Sequence, residues 1–118
     1  MANRPAGFRE LTSRDRSLIR QCLHAAVEGP FFPDWEFHTI FGVEREEVAV
    51  VLSHWPDVSD TDRVVRLAVN NTLANLLGYP HGCESCWPEF IDASREEIAR
   101  VLAKWRGDSP RSYFEAIE

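Results

Sequence analysis

Apolar residues recur along this chain at steps of three and four, the spacing that lines up one face of an α-helix. Leu18, Ile19, Cys22, Leu23 and Ala26 form the first such stripe. Thr12 stands where a helix cap belongs, and Asp15, three residues on, can return a bond to it in the manner of a capping box. Gly29 follows the last turn, and Pro30 cannot continue the helix. A second stripe, Val48, Val51, Leu52 and Trp55, follows Arg45, Glu46 and Glu47, whose carboxylates suit the positive end of a helix dipole. Val43, just ahead of it, is placed to pack on Val48 as a hydrophobic staple.

A third helix is expected from a cap at Ser59 or Asp60 to about Leu77, where Gly78 and Pro80 stop it. Val65, Ala68, Val69, Thr72, Leu73 and Leu76 fill one side of its wheel, and Val64, Leu67 and Ala74 another. An element apolar over most of its circumference belongs at the centre of the fold. The fourth helix opens at Ser94 with Glu97 completing a capping box, carries Ile98, Val101, Leu102 and Trp105, and stops at Gly107. Ser109 followed by Pro110 predicts a short last helix over 109–117, with Tyr113, Phe114 and Ile117 turned to the core.

The pattern repeats. The eleven residues from Arg45 to Trp55 return fifty positions later, from Arg95 to Trp105, with seven identities. Further matches suggest themselves at drifting separations: Asp15-Arg16 with Asp62-Arg63, Gly29 with Gly78, and Glu36-Phe37 with Glu89-Phe90. These separations run between 47 and 53 residues, so the alignment calls for short insertions and deletions. The expectation is an all-α fold, a compact helical bundle of two similar helical hairpins that arose by internal duplication, plus the C-terminal helix. A chain of 118 residues is one domain by size, with halves at about 12–55 and 59–105.

Composition narrows the function classes. The formal net charge of −6 repels phosphate, so neither nucleic acid nor an anionic membrane is favoured as a partner. No apolar run has the length of a membrane span, and nothing after the first residues reads as a secretory signal. The cytoplasm is therefore expected, where three cysteines stay reduced.

Candidate chemistry collects in the two connectors. The first, from Phe31 to Gly42, holds five aromatics, with a short helix expected from Asp34 to Ile40. In the second, His81, Cys83 and Cys86 offer an imidazole and two thiols at a spacing that can share a zinc ion, although a fourth ligand must come from elsewhere. Neither connector has the oxygen-rich pattern of a calcium loop. Asn71 and Asn75 lie one turn apart on an apolar side of the third helix, where amides can line a small ligand pocket or bond a neighbouring helix end. His24 and His38 have no nucleophile or carboxylate at a meaningful spacing, and no catalytic residue can be nominated.

The function read from these features is a small, acidic, non-enzymatic interaction or regulatory module that binds another protein. Phe31, Phe32, Trp35, Tyr79 and Trp87 would be its anchors. The alternatives are a zinc- or thiol-dependent module at His81, Cys83 and Cys86, and a small-ligand binder or enzyme with a pocket near Asn71 and Asn75.

Overall fold

The computed structural model describes residues 7–107. Within them the fold is all-helical: α1 (Ser13–Glu28), α2 (Asp34–Phe41), α3 (Arg45–His54), α4 (Arg63–Gly78), α5 (Trp87–Phe90) and α6 (Arg95–Arg106), with short 3-10 turns at Gly7–Glu10 and Glu84–Cys86. The helix expected over 109–117 lies outside the described residues.

Local chemistry sets the helix ends, in places differently from the sequence expectation. Thr12 opens α1 with both bonds of a capping box, its hydroxyl accepting the Asp15 N–H and the Asp15 carboxylate accepting the Thr12 N–H, each at 3.0 Å. Gly29 closes α1 in ordinary extended backbone, so the position does not use a left-handed conformation. It needs glycine for room, because a Cβ there would lie 2.6 Å from the Ala25 carbonyl oxygen. α4 is capped by Asp62, whose Oδ1 accepts the N–H groups of Val64 and Val65 at 2.9 and 3.2 Å. Ser59 and Asp60 do not cap it. Ser59 and Thr61 bond each other through their hydroxyls, and Asp60 accepts the backbone N–H of Phe8, which keeps this stretch a turn. Ser94 caps α6, but Glu97 does not complete the box: its carboxylate turns outward to Arg14 at 2.8 and 3.1 Å.

The four longer helices start at one constant offset. α1 runs from 13 to 28 and α4 from 63 to 78, so both ends are shifted by 50 residues. The caps Thr12 and Asp62, and the starts of α3 and α6 at 45 and 95, are shifted by the same amount. Buried positions 65, 68, 69, 72, 73 and 76 of α4 each lie 50 beyond a buried position of α1. In the connectors, α2 moved on by 50 spans 84–91, and the turn at Glu84–Cys86 with α5 covers 84–90 of it. At an offset of 50 Arg16 stands opposite Arg66 and Pro30 opposite Pro80, a register different from the drifting pairs expected from the sequence.

α1 packs on α3, α4 on α6, and α4 also on α1 and α3. The connector helices cross over: α2 lies on α4, and α5 lies on α1. Leu18, Ile19, Leu23, Leu73, Leu76, Ile98, Leu102 and Trp105 fill the centre. Phe8 sits against both repeat tryptophans, 5.3 Å from Trp55 and 5.8 Å from Trp105 between ring centroids. Burial of this many large side chains, at about 1.5–3 kcal/mol each, is the main force holding the bundle together.

The repeated arginines have one task. The last carbonyls of a helix have no partner within it. The Arg45 guanidinium bonds the Ala26 carbonyl at the end of α1 at 2.7 Å, the Phe32 carbonyl at 2.9 Å and Asp34 at 2.8 Å, lying 4.4 Å over the Phe37 ring. Arg95 bonds the Leu77 carbonyl at the end of α4, reaches that of Leu76 at 3.4 Å, and lies 5.7 Å over Trp87. Ala26 and Leu76, like Phe37 and Trp87, are again 50 apart. Arg45 is largely enclosed and Arg95 is exposed. Replacing Arg45 by Met keeps the apolar stem and removes the fork, which should cost about 2 kcal/mol in urea unfolding. Arg95→Met should cost less, about 1 kcal/mol.

Candidate functional site

The connectors fold back onto the long helices, and this decides where the candidate residues lie. Phe31, Phe32 and Trp87 are core residues and cannot serve as surface anchors. Phe31 meets the His81 and Phe90 rings edge-on, Phe32 meets Phe41, and the Trp87 indole N–H donates to the Ala93 carbonyl at 2.7 Å. Tyr79 is half-buried, its hydroxyl donating to the Glu36 carboxylate, and that bond raises its pKa. Trp35 is the exception at 81% exposed. Only Val50 joins it among the described residues as a large exposed apolar side chain.

Asn71 and Asn75 fasten α2 to α4. The Asn71 amide donates to the Phe41 carbonyl at 2.7 Å and the Asn75 amide to that of Ile40 at 3.0 Å. The Asn71 side-chain oxygen accepts from Asn70. These amides are committed to holding a helix end, not to lining a ligand pocket. Gln21, fifty residues before Asn71, ties the second connector to α1 in the opposite sense, its oxygen accepting the Asp92 N–H at 2.7 Å.

The second connector does not assemble a zinc set. The His81 Nε2 lies 3.1 Å from the Leu76 carbonyl oxygen and its Nδ1 accepts the Cys83 N–H at 3.0 Å. Those two partners assign the ring proton to Nε2 and occupy both nitrogens. The Cys83 thiol donates to the Pro30 and His81 carbonyls, and burial, together with Cys86 and Glu84, pushes its pKa up, away from the thiolate a metal needs. Cys22 is buried, and burial drives its thiol far up. No group of three His, Cys, Asp or Glu converges among the described residues. His24 and His38 are both exposed, the latter paired with Glu44 at 2.7 Å. Ser53 and His54 lie 3.1 Å apart, but both turn to the Val50 carbonyl, which is local helix bonding and not an activated nucleophile.

The feature that sequence reasoning missed lies at the two seams where a long helix begins against a repeat helix. At the first seam, α1 meets α6. Arg14 holds Glu97 with two bonds and the Asp92 carbonyl with a third at 3.1 Å. Beside it Lys104 reaches the buried Asp15 carboxylate at 2.8 Å. Burial raises the Asp15 pKa, but the bonds from Lys104 and Thr12 outweigh it and hold the carboxyl below its usual value.

At the second seam, α4 meets α3. The positions matching Arg14, Asp15 and Lys104 are Val64, Val65 and His54. Among the described residues no charge bridge closes it. An open groove of about 420 Å³ remains, lined by Glu47, Val50, Val51, His54, Asp57, Val58, Ser59, Asp62, Val64 and Val65. Its floor is valine, its rim is acidic, and no Lys or Arg of the described residues lines it. The contrast between Arg14 and Val64 was present in the sequence, but an alignment with drifting separations pairs Arg16 with Arg63 and hides it.

The chain matches no family model, no curated protein and no solved structure.

Two outcomes test this account. The Asp15 carboxyl has a depressed folded pKa, so its contribution is present at neutral pH and drains away as the pH falls below about 4. Asp15→Asn should lower the melting temperature at pH 7 and flatten its fall between about pH 5 and pH 2. One equivalent of zinc should leave the melting temperature unchanged, as should Cys86→Ser.

Proposed function

We propose that the protein is a non-enzymatic interaction module that binds another protein through a surface centred on Trp35. The observation that carries this reading is the indole's isolation. The neighbouring connector aromatics are packed inside, while Trp35 stands 81% exposed in the first turn of α2. A side chain of that size left in water gains most when a partner covers it, and Trp is prominent among residues that dominate binding energy. The groups capable of chemistry point the same way, since His81, Cys83, Asn71 and Asn75 are tied into internal bonds.

The net charge of −6 favours a partner with a basic surface over nucleic acid or anionic lipid. Three free cysteines fit a reducing compartment, and we place the protein in the cytoplasm. We also read the chain as two diverged copies of one helical hairpin. The 50-residue offset of the helix starts supports this, as does the paired task of Arg45 with Arg95.

Affinity capture from the native cell with the wild type and with Trp35→Ala, which should melt alike, tests the reading. A stoichiometric protein partner retained by the wild type and lost by the variant is the expected result. Equal recovery by both baits removes Trp35 as the anchor, and the absence of any stoichiometric partner removes the module reading.

A further inference from the structure

The two seams are built from matching helix positions, yet one is closed from within and the other is open. In the closed seam a single arginine does most of the closing, with Arg14 gripping Glu97 and the Asp92 carbonyl together. In the open seam the acceptors are still present. Glu47 is the counterpart of Glu97, and the Gly42 carbonyl is the counterpart of that of Asp92. What is missing is the cation, because Val64 stands at the position of Arg14. Without it Glu47 folds back on its own helix start and accepts the Glu44 N–H at 2.8 Å, a bond Glu97 does not make to Ser94.

From this we propose that the groove between α3 and the start of α4 docks a partner segment carrying an arginine among aliphatic residues. Its guanidinium takes against Glu47 the place that Arg14 holds against Glu97. The groove does not include Trp35, so the inference goes beyond that surface, while it rests on the interaction-module reading. Charge complementarity selects the occupant: Glu47, Asp57 and Asp62 stand in the groove lining against His54, with no Lys or Arg among them, so a cation is drawn in and a phosphate or acidic segment is repelled. Asp57 makes no side-chain bond to any described residue, which leaves its carboxylate for the incoming charge. Arginine is favoured over lysine because a planar fork can meet a carboxylate with two parallel bonds, as Arg14 does. Val50, 57% exposed at the groove, gives the aliphatic neighbours a surface to cover.

The test is a methyl NMR titration with a synthetic hexapeptide alternating arginine and leucine, beside the same peptide with glutamate in place of arginine. The arginine peptide should shift the methyl signals of Val50, Val51, Val58 and Val64 along a saturable curve, and the glutamate peptide should shift none. Glu47→Gln, which keeps a side chain able to cap α3, should weaken binding by about tenfold or more. Val64→Arg supplies the missing guanidinium from within and should abolish binding while leaving the melting temperature equal or higher. Equal binding by Val64→Arg, equal binding of the glutamate peptide, or saturable shifts confined to another surface would each overturn the proposal, as would the absence of any saturable shift. Peptide binding in the groove without a captured cellular partner sinks the module reading alone, and Trp35-dependent capture without peptide binding sinks the groove alone.

Discussion

A helix that ends inside a protein leaves carbonyl oxygens facing a medium that does not solvate them. In this chain the remedy comes from the next helix but one. Arg45 and Arg95, each the first residue of a repeat helix, reach back to the carbonyl end of the preceding long helix and lie over an aromatic ring of the connector between them. One side chain thereby satisfies the helix end, fixes the connector and sets where the next helix starts. The connectors are consequently shaped by the arginines as much as by their own residues. Phe32, whose carbonyl Arg45 holds, and Trp87, which lies beneath Arg95, are within the core although the sequence reading made both of them anchors.

Much of the fold was legible because it depends on periodicity. The stripe from Val65 to Leu76 named the buried face of α4 residue by residue, and the stripes ending at Trp55 and Trp105 did nearly the same for α3 and α6. Caps were less legible, for a physical reason. A cap is a competition among several nearby acceptors, and the winner depends on what else those groups meet. Asp60 was drawn to Phe8 and Glu97 to Arg14, contacts with residues more than fifty positions away. Nothing in the local sequence around Ser59 or Ser94 records them.

The candidate site was less legible still. Residue types suggested chemistry at His81, Cys83 and Cys86, but a donor already engaged in an internal bond looks the same in sequence as a free one. The open groove was hidden in the opposite way, since it is defined by residues that are unremarkable singly. Val64 and His54 acquire meaning only beside Arg14 and Lys104, and that comparison requires the register that the helix ends supply.

The crossing of the connectors has a consequence for how the chain becomes cooperative. α3 covers α1 and α6 covers α4, but α2 is also seated on α4 and α5 on α1, so each long helix takes further cover from the connector that does not follow it. Phe8, wedged between Trp55 and Trp105, adds a contact common to both. Opening the chain at either connector therefore uncovers a long helix elsewhere in the fold, which couples the elements in unfolding.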